Sequence, residues 1–78
     1  MVKVVLPELG EGIKKATVSH WFFKPGEQIS EKDDLVELTT DKTTFNLPSP
    51  CKGVLSEIVA SVGEDVQIGA LLAVIEES

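Results

Sequence analysis

The chain has 78 residues, 42% of them hydrophobic, and thirteen acidic side chains against seven lysines leave a formal charge of −6. That length supports one small domain with one core and excludes a large enclosed active site, while the dispersed negative charge excludes nucleic acid and anionic membrane surfaces as favoured partners. No apolar run is long enough to span a bilayer, the opening Met1 to Val5 lacks the apolar core of a signal peptide, and the single Cys51 forms no internal disulfide. These features predict a soluble protein of a reducing compartment.

The chain reads as all-β, with strands predicted at residues 3–6, 16–23, 28–29, 35–38, 44–47, 53–60, 65–67 and 72–75 and turns of Pro, Gly and acidic residues between them. No window holds a helical period. After the first strand, Gly10-Glu11-Gly12 superficially resembles a phosphate-binding loop, but no helix follows and acidic residues flank it, which leaves a flexible surface loop. In the second strand Trp21, Phe22 and Phe23 cannot all point inward unless a bulge intervenes, so one of them is expected to stay partly exposed. The aromatic side chains are otherwise assigned to the core. Further on, Thr40 and Asp41 are turn formers that separate the strand-like runs Leu35 to Leu38 and Phe45 to Leu47, which predicts a hairpin with Lys42 at its tip. With one face of each sheet apolar, two small antiparallel sheets packed face to face form the economical architecture.

An internal repeat organises this pattern. A shift of 37 positions lays Val18 to Ile29 over Leu55 to Val66, with Ser, Gly and Glu recurring, and lays Leu35-Val36-Glu37-Leu38 over Leu72-Ala73-Val74-Ile75. Leu6-Pro7 with Gly12 is matched in the same way by Leu47-Pro48 with Gly53, so each half is expected to begin with an extra strand. Two such halves imply a pseudo-two-fold domain with Lys42 at one end and the C-terminus at the other. A linker beyond Ser78 would then leave the lysine uncrowded. Gly26 and Gly63 occupy matched turns and are expected at positive φ.

Few residues suggest chemistry. His20 has no second histidine and Cys51 no partner cysteine at metal-ligand spacing, which disfavours zinc. No Ser, His and Asp set is arranged for nucleophilic catalysis. A lysine beside an aspartate is ordinarily a solvated surface pair. Lys42 differs by position, exposed at the seam between the two halves. An unassisted ammonium is a poor nucleophile, so the reading is of a residue that is modified, not of a catalyst.

Leu6-Pro7-Glu8-Leu9-Gly10-Glu11-Gly12, Lys24-Pro25-Gly26-Glu27, Thr40-Asp41-Lys42-Thr43, Pro48-Ser49-Pro50 with Gly53, and Val62-Gly63-Glu64-Asp65-Val66 together resemble, in order, the lipoyl domains of 2-oxo acid dehydrogenase acyltransferases. The resemblance covers essentially the whole chain. It departs at Thr39, where an acidic residue is common in the family; the departure bears on recognition by the modifying enzyme and leaves the acceptor in place.

The resemblance implies a flattened barrel, or sandwich, of two four-stranded antiparallel sheets, with lipoic acid in amide linkage to Lys42. The amide removes the lysine's charge and places a dithiolane at the end of a long arm. By analogy the arm takes an acyl group and two electrons from the thiamine-dependent 2-oxo acid dehydrogenase. It delivers the acyl group to coenzyme A at the acyltransferase core and is reoxidised by dihydrolipoyl dehydrogenase, its tether replacing strong binding by effective concentration. The domain itself is then a non-catalytic carrier, loaded by a lipoate-protein ligase or lipoyl transferase. Thr40, Asp41 and Thr43 would hold the turn and present Lys42 to that enzyme, and the loop from Glu8 to Lys15, which resembles the family's surface loop near the lysine, would contribute to recognition by the dehydrogenase through Leu9, Glu11 and Ile13.

The same resemblance makes residues 1–78 a lipoyl domain, monomeric in isolation, at the N-terminus of a longer acyltransferase chain. Its location would be the bacterial cytoplasm, or the mitochondrial matrix in a eukaryote. Two alternatives stand beside this reading: a biotinyl carrier, whose family flanks its lysine with methionines where this chain has Asp41 and Thr43, and an unmodified interaction module of the same shape.

Overall fold

The computed structural model describes residues 1–78 and is built of eight strands: β1 (Val2–Val5), β2 (Lys15–Trp21), β3 (Gln28–Ile29), β4 (Asp34–Thr39), β5 (Thr44–Pro48), β6 (Gly53–Ile58), β7 (Asp65–Gln67) and β8 (Leu71–Glu77). They form two four-stranded antiparallel sheets, ordered β1-β8-β6-β3 and β5-β4-β2-β7. Exchanging each strand for its repeat partner converts one order into the other, which is the pseudo-two-fold relation expected from the repeat. The sheets pack as a sandwich, a flattened barrel, because every strand has one apolar face and only the other sheet is available to cover it.

The symmetry extends to individual backbone bonds. The β2–β4 register slips between Val18 and His20, and the β6–β8 register slips at the matched place between Leu55 and Glu57. Each Gly-Glu turn is closed alike: Gly26 N–H donates to Leu55 O at 2.7 Å and Gly63 N–H to Val18 O at 2.8 Å. Both glycines have positive φ, 96° and 93°, a conformation that a side chain would penalise.

The slip at Ser19 precedes the aromatic run and switches which face alternate residues occupy. It turns Phe22 outward, leaving 41% of its surface exposed with its ring edge-on to His20. Trp21, Phe23 and Phe45 are only half-buried against the core, so the assignment of aromatics to the interior holds in part. The fully buried large side chains are aliphatic, among them Leu6, Ile29, Leu35, Leu38, Leu55, Leu72 and Ile75. Sheets this short leave a thin interior that Leu, Ile and Val fill, each contributing about 1.5–3 kcal/mol over its exposed state; the wider rings close the rim. The Trp21 indole N–H donates to Ala60 O at 2.8 Å, joining one sheet to the segment that follows β6 in the other.

Strand ends differ modestly from the expectation. The second and sixth strands stop at Trp21 and Ile58, two residues early, because the chain beyond them swings into the Gly-Glu turns. The last strand continues to Glu77, where Glu76 and Glu77 pair with Val54 and Gly53. Ile68 N–H donates to Lys14 O and Leu6 N–H to Ala70 O, so β8 starts at the end of the molecule that carries the β4–β5 turn and finishes at the opposite end. The long axis measures 35 Å.

Candidate functional site

Lys42 stands on the four-residue turn between β4 and β5, which closes above the paired residues Thr39 and Thr44. Two features hold it in shape. Thr40 N–H donates to Thr43 O at 2.7 Å, and the Thr40 hydroxyl donates to the same carbonyl at 3.0 Å while accepting from Thr43 N–H at 3.1 Å and Lys42 N–H at 3.3 Å. A threonine hydroxyl that satisfies turn amides in this way replaces water and fixes the loop. Below the turn, hydroxyls bridge three strands: Ser19 Oγ lies 2.5 Å from Thr39 Oγ1, which lies 3.3 Å from Thr44 Oγ1. Thr39, which departs from the acidic residue common in the resembled family, is thus the middle member of a neutral ladder.

Of the turn residues singled out in the sequence, Thr40 is half-buried and makes the contacts that shape the loop, whereas Asp41, Lys42 and Thr43 are exposed. Lys42 stands open to solvent at the tip of the hairpin.

The loop between β1 and β2 comes alongside. Gly12, at φ 82°, faces the lysine so closely that a Cβ there would lie 3.8 Å from Lys42 Nζ. Gly12, Ile13, Lys14, Lys15, Asp41 and Lys42 line a groove of about 330 Å³. Of the three candidate recognition residues, Ile13 therefore borders the lysine. Leu9 packs instead against the core, and Glu11 is exposed outside the groove lining. Lys14 and Lys15 lie within the loop that the resemblance placed near the lysine but were not singled out as site residues, and the Ser19–Thr39–Thr44 ladder was not read from the sequence at all; backbone pairing to the β7 segment and strand register bring them to the site.

Comparison with known proteins decides the family. A family model described as biotin-requiring enzyme, the biotin/lipoyl family, matches residues 2–75. The solution structure of the lipoyl domain of the 2-oxoglutarate dehydrogenase complex from Azotobacter vinelandii superposes with a TM-score of 0.80 at 32% identity, covering 99% of this chain and 98% of that one. The chain belongs to the biotin/lipoyl family as a lipoyl domain.

Its sequence relatives are acyltransferase components. The dihydrolipoyllysine-residue succinyltransferase component of the 2-oxoglutarate dehydrogenase complex of Bartonella vinsonii is 46% identical over 74 residues, 95% of this chain. The lipoamide acyltransferase component of the branched-chain alpha-keto acid dehydrogenase complex of Bacillus subtilis is 32% identical, also over 95% of the chain. The lipoyl domain spans about a fifth of such relatives' length, 18% in both cases.

A lipoyl domain is a non-catalytic carrier whose cofactor is lipoic acid held on a lysine. The structure fits that group at Lys42: the amine is exposed on a fixed turn, the residue facing it is a glycine, and open groove adjoins it. Cys51, the chain's single thiol, is disfavoured as a thiolate. It is buried, and that burial, reinforced by the carboxylates of Glu77 and Glu31, pushes its thiol pKa up.

Proposed function

We propose that Lys42 is the lipoyl acceptor and that this domain is the carrier of a 2-oxo acid dehydrogenase complex in the bacterial cytoplasm. The observation that carries the reading is the turn itself: an exposed lysine at the tip of a hairpin whose loop is locked by Thr40. Lipoic acid in amide linkage there supplies a dithiolane able to take an acyl group together with two electrons. The protein's share is positional. Thr40 holds the turn, Asp41 and Thr43 flank the amine for recognition by a lipoate-protein ligase or lipoyl transferase, and Gly12 leaves the space beside Nζ open.

The 2-oxoglutarate complex is the favoured parent, because the Bartonella vinsonii relative at 46% identity is a succinyltransferase component and the branched-chain relative stands at 32%. On this reading the thiamine-dependent dehydrogenase, the acyltransferase core and dihydrolipoyl dehydrogenase are successive partners of the arm. Residues 1–78 then form one domain of a longer acyltransferase chain, in keeping with the fifth of the relatives' length that they span.

The test is intact mass after incubation with lipoate, ATP and a lipoate-protein ligase, with Lys42→Ala and a parallel reaction with biotin and a biotin ligase. One lipoyl group on the parent and none on the variant is the expected result. Lipoylation of Lys42→Ala moves the acceptor elsewhere, biotin uptake at Lys42 favours the biotinyl reading, and a folded domain that takes up neither group is an unmodified module.

A further inference from the structure

The groove beside Lys42 differs in charge from the rest of the molecule. The chain carries a formal −6, yet three of the six groove residues are lysines, and Asp41 is the one carboxylate among them. Amide formation at Lys42 removes one of these cations and leaves Lys14 and Lys15 as the positive groups next to the arm's root.

Their backbone is fixed. Lys15 pairs with Gln67 across β2 and β7, and Lys14 O accepts from Ile68 N–H at 3.1 Å, so both lysines are anchored at the start of β2 against β7 and not on the turn at Gly10 to Gly12. Gly12, without a side chain, keeps the space between them and the arm clear. Ile13 supplies the groove's single apolar wall.

Resting on the reading of Lys42 as acceptor in a succinyl-transferring complex, we propose that Lys14 and Lys15 hold the free carboxylate of a dicarboxylic acyl group carried on the arm. A succinyl group ends in a carboxylate; a branched-chain acyl group ends in methyl groups. An anionic end tethered through Lys42 is at high effective concentration beside these lysines, so even a weak exposed ion pair acts without a binding cost of encounter. The pair selects by charge: it retains the folded-back arm when the cargo is dicarboxylic and is indifferent when the cargo is neutral. Exposed pairing of this kind enriches the folded-back arm by about two- to five-fold, and salt screens it.

The experiment uses the lipoylated 78-residue domain, reduced with a phosphine and alkylated to the same extent with 3-iodopropionate or 3-iodopropionamide. In each reaction a dihydrolipoyl thiolate displaces iodide, forming a C–S bond and breaking C–I with no change of oxidation state. Both arms have the same length and differ in one charge. Unlipoylated domain treated in parallel reports any alkylation at Cys51 by mass.

Amide chemical shifts are then compared. The expected result is displacement of the Gly12 to Lys15 and Asp41 resonances by the carboxylate arm only, falling at least two-fold from 20 to about 300 mM salt. It should be lost in a Lys14→Gln, Lys15→Gln double variant. Equal shifts from both arms, or a carboxylate-specific shift that persists in the double variant, overturn the proposal. If the double variant slows charging by the dehydrogenase while the two arms give equal shifts, the lysines face an acidic partner surface and the proposal is likewise overturned. Mass keeps the two readings apart: absence of lipoyl at Lys42 removes the acceptor assignment and this inference with it, whereas a lipoylated domain with equal shifts removes this inference alone.

Discussion

The two halves of the domain agree in strands, slips and Gly-Glu turns, and they part company at their joins: β4 leads into β5 through the Lys42 turn, whereas at the matching place β8 and β1 lie side by side with Glu77 and Val2 at their outer ends. Agreement marks what the fold needs. Difference marks where one half took on a task that the other does not share. The matched glycines show it plainly: Gly53 lets backbone pack on backbone, since a Cβ there would collide with the Glu76 carbonyl, while Gly12 keeps space open beside Lys42. Lys32 and Gly69 show a second kind of difference. At this matched position both residues have positive φ, 74° and 87°, but only one is a glycine.

Removing matched core leucines should break both halves equally. Leu35→Ala and Leu72→Ala, each fully buried in the parent, are expected to cost about 2–5 kcal/mol and to agree within about 1 kcal/mol in urea unfolding. A much larger cost on one side would show that the symmetry of the strands is not a symmetry of packing.

Matched glycines should separate instead. Gly53→Ala is expected to cost about 3 kcal/mol, because the carbonyl it strikes belongs to a paired strand and cannot move without opening the sheet. Gly12→Ala should cost about 1 kcal/mol, from positive φ alone. Equal costs in thermal unfolding would mean that Gly12 is as structural as its partner.

The turn has no counterpart, so its disruption should be local. Thr40→Val is expected to lose about 1 kcal/mol and several-fold in lipoylation rate, with Thr40→Ser restoring both, because the hydroxyl and not the methyl makes the contacts. A valine variant lipoylated at the parent's rate would show that the shape of the turn is immaterial to the ligase.

The smallest effect is at Lys32. Replacement by glycine, as in the other half, removes left-handed strain and adds unfolded-state freedom, two terms that nearly cancel, for a gain of up to about 1 kcal/mol in urea unfolding. A net loss would mean that the Lys32 side chain makes a compensating contact.

Residues next to one another in sequence were enough to find the strands, the repeat and the lysine, because alternation, Gly-Glu turns and a Thr-Asp-Lys-Thr tip are local patterns. The exposure of one of three consecutive aromatics was also foreseeable, since they cannot all face inward without an intervening bulge. The bulge at Ser19 and the choice of Phe22 as the exposed ring could not be read in the same way; the ladder with β4 decided them.

The chain by itself therefore determined an all-β repeat with one presented lysine. The tertiary structure decided what surrounds that lysine. Lys14 and Lys15 reach it through the pairing of β2 with β7, Gly12 through the return of the β1–β2 loop, and the Ser19–Thr39–Thr44 ladder through the register of three strands. The physical reason is distance along the chain. Local patterns are set by neighbours a few residues away, whereas the groove joins residues about thirty positions apart that meet only after both sheets have closed over their aliphatic core.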